Sequence, residues 1–176
     1  MNEELIIEIL LRFFAHVSGI EFVRGYQHGP RPTGQYGTIN ITASTALGLD
    51  EIAHYPYSPS PDLKTVVIGN RMLAVSVNIY RGLALDMAER VKMALRLPRM
   101  QRDFFDPNVI SFLAAGPVRR LHELVDNEYE PRCQFDVDFM TIFVDYQNTE
   151  SMEEFNIDGI VSDGITDIPV PINFTT

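Results

Sequence analysis

The sequence predicts an α+β fold: a mixed, mostly antiparallel sheet with two main helices packed on one face, a long loop and an extended C-terminal arm. Two observations carry this. Apolar residues recur at helical period in two segments, 3–17 and 83–97, and alternate at period two near 36–42, 66–80, 134–146 and 153–160. The length of 176 residues fits one domain, here residues 1–162 with an insertion at 43–64, followed by an arm at 163–176.

In the first helix Glu4, Glu8, Arg12 and His16 recur every four residues, while Leu5, Ile6, Ile9, Leu10, Phe13, Phe14 and Val17 fill the apolar arc. Asn2 is placed to cap it, Glu3 and Glu4 suit its positive end, and Gly19 ends it. Gly37, Ile39 and Ile41 alternate with Thr38, Asn40 and Thr42, which gives a half-buried strand. Periodicity then stops until residue 64. The run Tyr55-Pro56-Tyr57-Ser58-Pro59-Ser60-Pro61 reads as a long surface loop or the tip of a hairpin, because proline removes backbone donors and fixes φ. An insertion of this length is a candidate contact surface, with mobile filler as the alternative.

Strand character returns at Val66–Ile68 and again from Met72 to Tyr80, where Leu73, Val75, Val77 and Ile79 share a face. The second helix places Ala84, Met87, Ala88, Val91, Ala94 and Leu95 inward and Asp86, Glu89, Arg90 and Arg96 outward, and Pro98 closes it. Asp106-Pro107 predicts a short helix over Asn108–Ala114, stopped by Gly116-Pro117. Val118–Val125 fits helix or strand equally. From Gln134 to Tyr146, Phe135, Val137, Phe139 and Phe143 face one way, and Glu153–Ile160 is expected as a strand beside it. The prolines of Ile168-Pro169-Val170-Pro171-Ile172 are expected to prevent a normal ladder in the arm.

Composition limits the function. Hydrophobic residues make up 45% and charged residues 22%, which is ordinary for a folded domain. A net charge of -10 argues against coating nucleic acid, since tight non-specific binding needs Lys and Arg on phosphates. A single cysteine, Cys133, points to a reducing, intracellular place of synthesis. The most apolar stretch, Leu5–Val17, is shorter than the ~20 residues of a membrane span and is broken by charge. The acidic start, Asn2-Glu3-Glu4, does not suit an export signal.

Catalytic chemistry finds little support. Gly29-Pro30-Arg31-Pro32-Thr33-Gly34 has the glycines of a phosphate loop, but Gln35-Tyr36 follows where Lys and Ser or Thr are needed. The four histidines lie outside metal-ligand spacing, and Ser18-Gly19 lacks a nucleophile elbow. Asp136 and Asp138 share a strand face and could hold a cation, or simply keep that face solvated. Cys133 alternates away from Arg132 and is expected to be an inert packed thiol. No catalytic, cofactor or metal residue is therefore assigned. Arg31 between prolines, and Glu130-Pro131-Arg132 at a strand entrance, combine stiff backbone with permanently charged groups; this suits fixed ion pairs across an interface, or ordinary rim salt bridges.

Three segments together resemble the neck and tail-terminator proteins of long-tailed bacteriophages. Arg24–Tyr36 looks like that family's proline-flanked arginine turn leading into its first strand. Ser76-Val77-Asn78-Ile79-Tyr80, running through Gly82 into the second helix, is similar to its strand-to-helix junction. Tyr129-Glu130-Pro131-Arg132-Cys133-Gln134-Phe135-Asp136-Val137-Asp138-Phe139 resembles its most specific strand motif. The likeness runs from about residue 24 to 146; the 55–61 insertion and the chain after Ser162 do not match.

The resemblance implies a structural virion protein of the tail neck, assembled in the host cytoplasm without a cofactor or membrane partner. It implies a homo-oligomeric ring, expected as a hexamer, that caps the tail tube and joins the tail to the head connector while DNA passes through without tight binding. The tail-tube protein, the sheath where a tail has one, and the head-tail connector would be its partners. A closed ring needs two different patches meeting between neighbours. Arg31, Pro32, Tyr36, Glu130, Arg132 and Asp136 are the expected subunit-interface residues, and Tyr55 and Tyr57 the expected contacts to a neighbouring ring. Rival readings are a baseplate or tail-completion adaptor, and a small metal-dependent enzyme using Asp136, Asp138 and a histidine.

Overall fold

The computed structural model describes residues 3–25, 31–56, 63–125, 128–149, 154–162 and 167–175. It is α+β, as the periodicities predict. Two compact units appear: Met1–Glu51 with Ile68–Val144, and Ile52–Val67 with Asp145–Thr176.

The first unit begins with α1 (Glu3–Ser18), whose Ile6, Leu10, Phe13 and Phe14 are essentially inaccessible to solvent. Gly19, at φ +72°, ends the helix in the left-handed region that glycine adopts without steric cost. Asn2, the expected cap, lies outside the described residues. A short strand unforeseen in the sequence, β1 (Glu21–Arg24), follows and runs parallel to β2 (Tyr36–Ala46). Four residues are too few to show an alternation against background.

After β2, strand β3 (Glu51–Pro56) and strand β4 (Leu63–Tyr80) replace much of the expected loop. In the described part of 43–64, β2 and β4 stay antiparallel out to the pair Ala46–Arg71, with a register shift between Ile41 and Ala43, and β3 pairs with β4; residues 57–62, which hold most of the proline-rich run, lie outside the described residues. Ion pairing keeps the outer hairpin together where apolar alternation fades. Arg71 forms a two-pronged pair with Asp50, both bonds 2.6 Å, and this holds the Asp50 carboxyl below its ordinary range. The two expected strands at 66–68 and 72–80 are one continuous strand.

Helix α2 (Ala84–Ala94) buries Ala84, Ala88, Val91 and Ala94 as predicted. Pro98 does end this helical segment, but it also opens α3 (Pro98–Phe104), where the first position needs no N–H. The short helix expected over Asn108–Ala114 is absent. Asp106 caps a single turn, its Oδ1 accepting from the Asn108 N–H at 2.9 Å, and the chain then enters β5 (Ile110–Ala115). Pairing overrides the local helix signal, because Ile110 and Phe112 fall opposite Thr141 and Phe139 on the core face. The undecided segment is a strand, β6 (Arg119–Val125), antiparallel to β7 (Glu128–Thr149).

The main sheet has the order β1-β2-β4-β7-β5, with β3 on β4 and β6 on β7. Its inner face, led by Leu73, Val75, Val77, Ile79, Phe135, Val137 and Phe139, joins the buried sides of α1 and α2 in one core. Each such large apolar side chain contributes about 1.5–3 kcal/mol on burial. The strand expected beside β7 is instead β8 (Glu154–Ser162), which pairs with β9 (Asp167–Thr175) in a separate two-stranded sheet. The terminal segment is thus extended, and it does form a ladder. Pro169 and Pro171 sit two apart, so one register can turn both missing donors to the outer edge of the pair.

One glycine is required by close approach. Gly37 lies under the Phe22 ring, and a Cβ there would overlap it, while Phe22 itself stacks on Phe14 at 5.4 Å between centroids. Gly37→Ala is expected to cost about 1–3 kcal/mol by overpacking. A thermal melt unchanged from wild type would show that Phe22 can move aside freely.

Candidate functional site

The helices cover one face of the main sheet and leave the other polar. Along β2 this face carries Tyr36, Thr38, Asn40 and Thr42, along β4 Ser76, Asn78 and Tyr80, and along β7 Arg132 and Gln134, since alternate residues take the opposite side. Together with Gly25 and Arg31, most of these line a groove of about 400 Å³.

At one end of the groove the register puts Tyr36 directly opposite Tyr80, with rings stacked 4.7 Å apart and 7° from parallel. A guanidinium lies over each outer ring face: Arg81 is 5.6 Å from the Tyr36 centroid and Arg132 is 5.3 Å from that of Tyr80. The order Arg81, Tyr36, Tyr80, Arg132 puts one cation beside each ring of the stacked pair. Arg132 donates from Nε and Nη2 to Asn78 Oδ1 at 3.1 and 2.8 Å, and Gln134 Nε2 donates to Ser76 Oγ at 2.9 Å. These bonds account for Ser76 and Asn78 being buried on an otherwise wet face.

Glu130 ties the stack to the arginine turn. Its side chain is 9% exposed, and its two oxygens accept from different arginines, Oε1 from Arg81 Nε and Oε2 from Arg31 Nη1 at 3.4 Å. Arg81 Nη1 also donates to the Pro32 carbonyl at 2.6 Å and to that of Gly34 at 3.3 Å. The Arg81 backbone N–H bonds to the Pro131 carbonyl at 2.8 Å. Arg81 stands at φ +68°, uncommon for a side chain of this size, and Gly82 follows at +54°. This left-handed pair turns the chain from β4 toward α2, and the bonds of Arg81 hold the strained residue in place. Burial raises the Tyr36 hydroxyl pKa, with Arg31 and Arg81 opposing that effect.

Five of the six expected interface residues, Arg31, Pro32, Tyr36, Glu130 and Arg132, therefore come together in one chain. Asp136 stands apart and faces Arg119 at 4.0 Å. Arg31 and Glu130, each expected in ion pairs across an interface, pair with one another within the subunit. Three members were missed: Arg81, Tyr80 and Asn78. Tyr80-Arg81-Gly82 at the end of the longest apolar alternation is the signal that could have revealed them. Tyr57 lies outside the described residues; Tyr55 contributes backbone to β3, and its side chain is likewise outside them.

A family model of phage neck terminator proteins matches residues 4–165, which include every residue of this cluster. The chain belongs to that family. No curated protein matches it. A neck terminator is a structural protein of the bacteriophage tail neck, in contact with other head and tail proteins. The site fits a structural part: its charged groups are spent on one another and on backbone carbonyls, which makes a rigid surface. Among the described residues of this neck terminator, no three His, Cys, Asp or Glu side chains are grouped for a metal, and no helix is long and apolar enough to cross a membrane. Cys133 is buried, and burial raises its pKa against the opposing effect of Arg120, so the thiol stays protonated and packed.

Proposed function

We propose that the protein forms a ring, a hexamer by analogy with its family, at the head-proximal end of the phage tail. There it caps the tail tube and joins the tail to the head connector, and DNA passes through its centre. The observation that carries this reading is the match to neck terminators over residues 4–165. The charge of -10 supports it, because a channel for DNA should not retain phosphates. Assembly takes place in the host cytoplasm, with the tail-tube protein, any sheath and the connector as neighbours. Tyr55 and Tyr57 contact the neighbouring ring.

Within the ring, the Arg31 turn and the Glu130–Asp136 stretch form part of the contact between subunits. Arg31 is the exposed member, with a side chain 48% accessible, and Arg81 keeps Glu130 neutralised when Arg31 is changed. Arg31→Glu is expected to abolish ring formation in sedimentation velocity while shifting the melting temperature by only a few degrees. A mutant that still assembles would remove Arg31 from the interface.

The neck role is tested by electron microscopy of lysates from a phage carrying a nonsense mutation in this gene, with and without complementation. DNA-filled heads apart from tails, and tails of irregular length, are expected. Intact particles of normal length would overturn the reading, and intact tails lacking their distal end would point to a baseplate adaptor.

A further inference from the structure

The outward surface of α2 and the turn after it changes sign along its length. Leu83, Asp86 and Glu89 are exposed at its start, and Arg90, Met93, Arg96 and Leu97 at its end. A helix dipole favours this order of charges, so the charges alone do not call for a partner. The dipole gives no reason for the apolar groups. Leu83 is 72% exposed, Met93 64% and Leu97 51%. At the basic end, Met93 and Leu97 flank an apolar groove of about 360 Å³ between α2 and His16 and Val17 of α1, with Arg90 also in its lining. Residues 90–102 hold five of the fourteen cations of a chain with net charge -10. Among the described residues, Asp86, Glu89, Arg90 and Arg96 enter no ion pair. An apolar floor inside a charged rim is the anatomy of a protein interface.

We propose that this groove receives the acidic start of α2 from a neighbouring copy of the chain: Leu83 enters between Met93 and Leu97, and Asp86 and Glu89 meet Arg90 and Arg96. Both halves of the contact lie on one helix and differ from each other. With neighbouring helices parallel the contact runs head-to-tail from copy to copy, as a ring requires, whereas an antiparallel pair would satisfy both halves at once and stop at a dimer. A wild-type chain that sediments no further than a dimer would therefore overturn it. It deepens the ring reading, on which it rests for closure. A nucleic-acid occupant is disfavoured, because phosphates gain nothing from the Met93 and Leu97 floor and are repelled by Asp86 and Glu89.

The test is a charge swap in the purified full-length chain, followed by sedimentation velocity. One variant carries Arg90→Glu and Arg96→Glu, the other Asp86→Lys and Glu89→Lys. All four positions are exposed, and circular dichroism melts verify that each variant folds. Each variant alone is expected to lose self-association at concentrations where wild type assembles, because like charges then face each other. An equimolar mixture is expected to regain it, since the reversed groove of one fits the reversed start of the other. Variants that assemble as wild type, a mixture that stays dissociated, or a wild-type chain that remains monomeric would each overturn the proposed contact. The nonsense-mutant micrographs report separately on the neck role: they can fail while the charge swap succeeds, and the reverse.

Discussion

Replacing Glu130 with alanine is expected to lower stability by about 2–3 kcal/mol. Removing one partner of a fully buried pair costs about 3–5 kcal/mol; here Arg81 is one-third exposed and Arg31 about half, so water recovers part of the loss. At about 2–4 °C per kcal/mol for a chain of this size, the melting temperature should fall by about 4–12 °C. Glu130→Gln keeps the shape and can accept one arginine bond, so its loss should be about half as large. The pair of variants separates charge from shape, and equal melts for the two would mean that the carboxylate charge contributes nothing. Because Glu130 also anchors Arg31, Glu130→Ala should impair assembly well below its melting temperature.

Phe13→Ala is expected to be the most damaging single truncation in the first unit. Phe13 is fully buried and touches three other rings, with centroids 5.3 Å away for Phe14, 5.5 Å for Phe104 and 5.0 Å for Phe105. Removing the ring opens a cavity between α1 and the segment after α2, at a cost of about 3–5 kcal/mol. The melting temperature should drop by about 6–20 °C. Chemical denaturation should show a lower midpoint with an unchanged slope, because the surface exposed on unfolding is nearly the same. A drop of under about 3 °C would mean that the Phe104 and Phe105 side chains collapse into the space.

The sequence spoke most clearly where one face of an element is buried and the other wet. Glu4, Glu8, Arg12 and His16 outline α1, and the alternation from Leu73 to Ile79 outlines β4, because burial imposes its period directly on residue type. It misled where pairing partners lie far along the chain. Asp106-Pro107 is a sound helix start, yet Ile110 and Phe112 are drawn into the sheet by Thr141 and Phe139, about thirty residues on. Glu153–Ile160 has the right alternation for a strand, but alternation does not name a partner, and β9 supplies it. At the site, the proline-flanked Arg31 and the Glu130 motif were legible because charge beside stiff backbone is uncommon. Arg81 was not, since its role depends on a positive φ and on the Tyr36–Tyr80 register, neither of which leaves a compositional trace.

The Glu130 hub closes very long loops: its arginine partners lie 49 and 99 positions away in the chain. Contacts of such separation carry a larger entropy of loop closure than those within a helix or across a tight turn. A chain with α1 and the β2–β4 hairpin in place but β7 not yet docked would lack the arginine–tyrosine stack and the tethered turn. Competence to assemble would then arrive with the docking of β7, so incompletely folded subunits would be excluded from the particle without a separate check on quality.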